Sequence, residues 1–128
     1  MTLDSSALVA VLFAEPDYLD LVDRMLEADQ LRVGAPTLVE ASIVLAARRR
    51  APGRGEVEAL IRELAVTVVP FGEAHWLAAV DAFVRFGRGH HAAALNLGDC
   101  FAYATAKVAG DALLFVGDDF RKTDIRPA

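Results

Sequence analysis

Carboxylates stand where this chain is otherwise most apolar, and that placement limits the folds it can adopt. Asp4, Glu40, Asp99 and the pair Asp118-Asp119 each lie in or directly beside a hydrophobic run. A buried carboxylate without a partner costs several kcal/mol. A fold that collects several of them therefore needs a positive charge between them, and hard oxygen donors favour Mg²⁺ or Mn²⁺. The same five residues account for the whole excess of 18 acidic over 13 basic side chains, so the net charge of −5 is concentrated in them. The remainder is neutral, and the acidic balance does not by itself exclude a nucleic-acid partner. Basic residues gather at Arg48-Arg49-Arg50 with Arg54, at Arg85, Arg88, His90 and His91, and at Arg121-Lys122. Each of these clusters is also what an ordinary solvated helix end looks like.

The apolar pattern sets the architecture. With 128 residues, 55% of them hydrophobic, the chain fits one domain spanning 1–128. Helical spacing predicts helices over 5–14, 17–28, 37–50, 56–64, 73–86 and 98–109. In the second, Leu19, Val22, Met25 and Leu26 recur on the helical period, and in the fifth Trp76, Ala79, Val80, Phe83 and Val84 do. Short strands are predicted at 31–33, at the β-branched run 66–69, read as buried, and at 113–116, with another ahead of Asp4. Short strands separated by helices indicate an α/β fold, a three-layer α/β/α arrangement with a short, mainly parallel sheet flanked by helices. Such sheets carry their sites beyond the carboxyl ends of the strands. Asp4 follows the first strand and Asp118-Asp119 the last, so both are expected on one edge.

No apolar stretch approaches the ~18 residues of a membrane span, and no basic region precedes the first apolar segment as a secretory signal would require. The single cysteine, Cys100, forms no internal disulfide and suits a reducing cytoplasm.

Each acid has a structural role open to it beside a chemical one. Asp4 precedes Ser5-Ser6-Ala7 as an N-cap would. Glu40 has Ile43, Val44 and Ala47 on its own helix face, yet is also a first-turn acid suited to the helix dipole. Asp99 follows Asn96-Leu97-Gly98 in the manner of a capping box, while small residues on its face, Ala102 and Ala106, suggest room for an ion and its waters. Asp118-Asp119 after Gly117 reads equally as a turn. His90 and His91 read as loop polar structure, and Cys100 as a small packing residue with no partner base.

Taken together, the order of acids resembles the PIN-domain ribonucleases, and specifically the VapC-type toxins of bacterial toxin–antitoxin pairs. The resemblance rests on Leu3-Asp4-Ser5-Ser6-Ala7-Leu8, on Val39-Glu40-Ala41-Ser42, on the segment from Gly89 through Asn96-Leu97-Gly98-Asp99-Cys100 to Ala104, and on Leu113 to Phe120 followed by Thr123-Asp124-Ile125. It implies that Asp4, Glu40 and Asp99 are metal-binding acids of a PIN-like fold, with the fourth at Asp118 or Asp119. Many relatives carry that acid where this chain has Gly117. It further implies a Mg²⁺- or Mn²⁺-dependent endoribonuclease, Ser6 ordering the site, and Ser6, Arg48 and Arg121 within reach of RNA. A VapB-like antitoxin, a homodimer and a cytoplasmic location are implied with it. From the residues alone, another Mg²⁺-dependent phosphotransfer domain or a non-catalytic partner-binding α/β domain remains open, although Asp4 lacks the acidic neighbour that receiver and phosphatase domains usually carry.

Overall fold

The computed structural model describes residues 1–128. Its elements run β1 (Thr2–Leu3), α1 (Ser5–Leu12), α2 (Tyr18–Leu26), β2 (Arg32–Gly34), α3 (Ala35–Arg49), α4 (Arg54–Glu63), β3 (Thr67–Val69), α5 (Glu73–Phe86), α6 (Leu97–Ala109) and β4 (Leu113–Leu114), then a 3-10 turn at Asp119–Lys122. The four strands form one sheet in the order β3-β2-β1-β4, and every pairing is parallel. Thr2 pairs with Leu113 and Leu3 with Leu114, so the carboxyl ends of β1 and β4 share an edge as expected.

Successive strand residues point to opposite faces, and β4 shows the consequence. Leu113 joins a cluster with Ala82, Phe86, Leu95, Tyr103 and Phe120 on one side. Leu114 joins Leu3, Leu8, Val33, Met25 and Ala41 on the other. Helices cover both faces, giving the three layers. At the opposite end of the sheet Asp111 accepts hydrogen bonds from the Thr2 hydroxyl and the Arg32 guanidinium and lies 3.4 Å from the N-terminal ammonium. Burial pushes its carboxyl up, but the hydrogen bonds from Arg32 and Thr2 and the two positive charges outweigh it and hold it below the usual range. No helix is long and apolar enough to cross a membrane.

Four sequence expectations need correction. The 66–69 run is no buried strand: β3 is an edge strand, paired only with β2, and Thr67 and Val68 are exposed. β4 stops at Leu114, because Phe115 turns to stack on Phe120, their ring centroids 5.0 Å apart. On α2 the buried residues are Leu21 and Met25, while Leu19 and Leu26 face solvent. On α5 the core side is Ala79, Ala82 and Phe86, and the periodic stripe of Trp76, Val80, Phe83 and Val84 is left exposed.

Candidate active site

Three carboxylates converge beyond the carboxyl ends of β1 and β4. Asp4 and Asp99 come from the starts of α1 and α6. Glu40 stands in the second turn of α3, because that helix begins at Ala35 and not at 37, so it is not the first-turn acid expected. Asp4 caps α1: its Oδ2 accepts from the Ser6 backbone N–H at 3.0 Å and from the Ser6 hydroxyl at 2.5 Å. Its Oδ1 is buried and has no partner. The structural and chemical roles expected of Asp4 are thus divided between two oxygens of one carboxylate. Asp99 sits in the first turn of α6 within a capping box. Its backbone N–H donates to Asn96 Oδ1 at 3.0 Å and its Oδ2 accepts from the Asn96 N–H at 2.7 Å. Glu40, on α3, keeps Oε2 buried without a partner.

Electrostatics show which acids face one another. Burial raises the Asp4 carboxyl, against the lowering effect of its bonds to Ser6 and Ser5, and the Asp119 charge adds to the rise. Glu40 is raised first by burial and then by the charge of Asp4, offset in part by Ser5. Asp99 is pushed up to about 6 by burial and by the charges of Asp4, Asp119 and Glu40, against the hydrogen bond from Asn96. Each is therefore less acidic than a free carboxyl for the same reason: several anions share one desolvated place.

Both acids of the pair after Gly117 are exposed. The charge of Asp119 acts on Asp4 and Asp99, whereas Asp118 pairs with Arg121 at 3.3 Å. Gly117 makes the turn between strand and acids with φ of +104°, a backbone setting that disfavours side chains. Ser6 fastens this edge, since its hydroxyl donates to Asp4 and accepts from the Val116 N–H at 3.0 Å. It thereby ties the start of α1 to the segment beyond β4.

Not every expected site residue arrives here. Arg48 pairs with Glu15 at 2.6 Å and lies over the Phe13 ring. It stands two turns from Glu40 along α3, about 12 Å by helical rise, and the structure does not bring it to the carboxylates. The small residues on the Asp99 face, Ala102 and Ala106, are fully buried, so the room expected above them is filled by core. His90 is held by its Nε2 against the Phe83 and Val84 carbonyls at the end of α5. His91 accepts from the Ala93 N–H. Cys100 is buried and its thiol is pushed up to about 11 by that burial and by Asp99, which keeps it from acting as a nucleophile.

One functional position escaped the sequence reading. A Cβ on Gly98 would overlap both carboxylate oxygens of Glu40. The first turn of α6 is thus shaped to let Glu40 lie against its backbone. The available signal was a glycine inside a helical first turn beside an acid, a place where close approach is one of the few uses for it.

Do these residues fit a divalent cation? No three acid, histidine or cysteine side chains are gathered tightly enough to hold an ion as they stand. The buried oxygens of Asp4 and Glu40 without partners, and a donor set made only of carboxylates, nevertheless fit a hard cation. The helix starts of α1 and α6 add their positive dipole ends to the same place.

The sequence profile of the PIN domain matches residues 1–126, and the chain belongs to the PIN-domain family. Within it, the chain is similar over nearly its whole length to VapC ribonucleases. Ribonuclease VapC30 of Mycobacterium tuberculosis is 40% identical over 126 residues, covering 98% of this chain and 95% of that protein. Among solved structures, Mycobacterium tuberculosis VapC20, described as a toxin cleaving the sarcin–ricin loop, superposes with a TM-score of 0.76 at 17% identity, covering 98% of each chain. A toxin–antitoxin complex from Klebsiella pneumoniae has a chain that superposes with a TM-score of 0.73 at 13% identity, covering 96% of this chain and 92% of that one. Nucleases of this family generally depend on a divalent metal.

Two predictions follow from the carboxylate geometry. Gly98→Ala is expected to push Glu40 aside and weaken Mn²⁺ binding about 10- to 100-fold. Its melting temperature should hold or rise, because Ala favours a helix by ~0.5–1 kcal/mol. The second prediction concerns Asp99, whose folded value of about 6 lies above the ~3.9 of an unfolded chain. Protons therefore favour the folded state in that window, and stability falls as pH rises through 6. In EDTA, Asp99→Asn should be about 1 kcal/mol more stable than the wild type at neutral pH, after solvent screening is allowed for. Its urea midpoint should vary less between pH 5 and 7.

Proposed function

We propose that this chain is the toxin of a toxin–antitoxin pair, an endoribonuclease that hydrolyses RNA phosphodiester bonds with water activated at a Mg²⁺ or Mn²⁺ ion. The observation that carries the reading is the pair of buried oxygens, Asp4 Oδ1 and Glu40 Oε2, left without partners beside an Asp99 that shares their field. Similarity to ribonucleases along the chain supports it.

Asp4 and Asp99 hold the ion directly, since each keeps one oxygen free of its capping bonds. Asp119 completes the acidic set, and Asp118 stays with Arg121. When bound, the cation lowers the pKa of a water, holds a phosphate oxygen and offsets the negative charge that develops during in-line attack. Glu40, seated against Gly98, orients the attacking water and takes up its proton, a task suited to a carboxyl raised toward neutrality. Ser6 keeps Asp4 aimed and leaves no hydroxyl hydrogen for RNA. Arg121, exposed and paired only with the exposed Asp118, is the basic side chain offered to an RNA phosphate.

Two apolar surfaces suit protein partners. Val39 and Ile43 of α3, with Val57 and Ile61 of α4, line a groove; the same two α3 residues border Glu40. A helix of a VapB-like antitoxin lying there would bring its following segment to the carboxylates, and a basic side chain on that segment would balance their charge. On α5, Trp76, Val80, Phe83 and Val84 form with Leu97 and Phe101 an exposed hollow lined only by apolar side chains, the kind of surface that suits a protein partner. A second copy of the chain covers it in a homodimer. The lone cysteine, buried and unpaired, suits a cytoplasmic location.

Purified protein is expected to cleave RNA only with added Mg²⁺ or Mn²⁺, and Asp4→Asn or Asp99→Asn to lower the rate at least about a hundredfold, the several kcal/mol a metal contributes. Cleavage that persists in EDTA sinks the mechanism. Val80→Asp is expected to convert a dimer into a monomer by light scattering; a wild type that is already monomeric refutes the dimer.

A further inference from the structure

The acid that completes the site is held by unusual means. Beyond β4 the chain leaves the sheet at Phe115 and returns only near Arg126. Leu113 donates its N–H to the Arg126 carbonyl, the Ala128 N–H donates to the Leu113 carbonyl, and Pro127 forms a parallel bridge with Leu113. Residues 115–125 are therefore an excursion whose two feet stand on one short strand. Asp119 rides on it. So does the positive-φ turn at Gly117, which by itself gives the segment freedom.

The excursion is held at several points: the Val116 N–H donates to the Ser6 hydroxyl, Lys122 donates to the Ala92 carbonyl, and Ile125 is buried, while the densest hold is at Asp124. Phe120 is buried and stacks on Phe115. Thr123 donates its hydroxyl to the Phe120 carbonyl and accepts from the Ile125 N–H. Asp124 makes three bonds to elements outside the excursion. Its Oδ1 accepts from the Tyr103 hydroxyl at 2.6 Å, and its Oδ2 accepts from Arg85 at 3.0 Å and Lys107 at 3.2 Å. Tyr103 is almost wholly buried and lies one helical turn beyond Asp99 on α6, on the same face. The carboxylate that pins the return of the excursion is thus bonded to the helix that carries Asp99. Arg85 also lies over the Phe86 ring at 4.5 Å, so α5 joins the clasp through a side chain that rests on an aromatic ring of its own helix.

We infer that Asp124, clasped by Tyr103, Arg85 and Lys107, is a positioning residue that sets Asp119 against Asp4 and Asp99. The inference rests on the metal-site reading above and deepens it. A residue that merely tethered the segment would contribute stability and nothing to ion affinity. One that fixes a ligand's approach contributes to affinity through that ligand alone, at the 10- to 100-fold scale known for partners that orient metal ligands.

The test is a cycle of purified variants titrated with Mn²⁺ by electron paramagnetic resonance, without RNA. Asp124→Asn and Tyr103→Phe are each expected to weaken Mn²⁺ binding about tenfold or more. In an Asp119→Asn background, Asp124→Asn should add less than twofold. Unchanged Mn²⁺ affinity in the single variants, or effects that multiply fully with Asp119→Asn, overturns the inference. Hydrogen exchange on the metal-free protein separates its failure from failure of the metal reading. Should the wild type bind no Mn²⁺, the metal reading falls, and the clasp stands only if Asp124→Asn speeds exchange at 116–122 while leaving α6 protected. Unchanged exchange there overturns the clasp as well.

Discussion

A carboxylate buried at the end of a parallel strand has two oxygens to satisfy, and the fold satisfies only one. Asp4 Oδ2 is used up in starting α1 and in holding Ser6, while Oδ1 faces inward with nothing to accept from. The elements around it follow from that half-satisfied group. α1 begins where it does because Asp4 caps it. The segment after β4 is drawn across the sheet edge because Ser6, bonded to Asp4, takes the Val116 N–H. Glu40 and Asp99 arrive from α3 and α6 with the same division, part of each carboxylate engaged and part left open. The arrangement is unfavourable for the protein alone, as the upward shifts of all three carboxyls show. An ion bound there would recover that cost, which is how a site of like charges acquires affinity.

Much of this was legible in the residues. Caps are local: a Ser-Ser after Asp4 and an Asn three residues before Asp99 declare their helix starts from neighbouring side chains alone. The parallel sheet followed from short apolar runs between helices, and the shared edge of Asp4 and Asp119 followed from the sheet. What periodicity could not reveal is which apolar stripe enters the core. On α5 the larger side chains, Trp76 and Phe83, stay outside and the alanines go in, because α6 offers a surface of small residues that admits only close approach. A pattern of hydrophobicity has no sign for core against interface.

Three other features were hidden for a different reason. The directions of Asp118 and Asp119 depend on the φ of Gly117 and the pitch of a 3-10 turn, where a single residue of register reverses which way a side chain looks. Gly98 and Asp124 owe their places to contacts with residues far away in sequence, Glu40 in one case and Tyr103 and Arg85 in the other. No local pattern carries such information. The arginines at the end of α3 have neighbours that no local pattern announced: Arg48 and Arg49 lie over the Phe13 ring and Arg48 pairs with Glu15.

The strand order has a consequence for the moment at which the protein becomes active. β1 lies inside the sheet, and its partner β4 is separated from it by more than a hundred residues. Contacts so distant in sequence form late and slowly. Asp4 waits for Asp99, and both wait for the excursion that Asp124 and the return at Arg126 hold in place. A growing chain on the ribosome can cap α1 and fold its first helices while its acidic centre is still missing a wall. If RNA is the substrate, the strand order itself delays the hazard until the residues beyond β4 have been made.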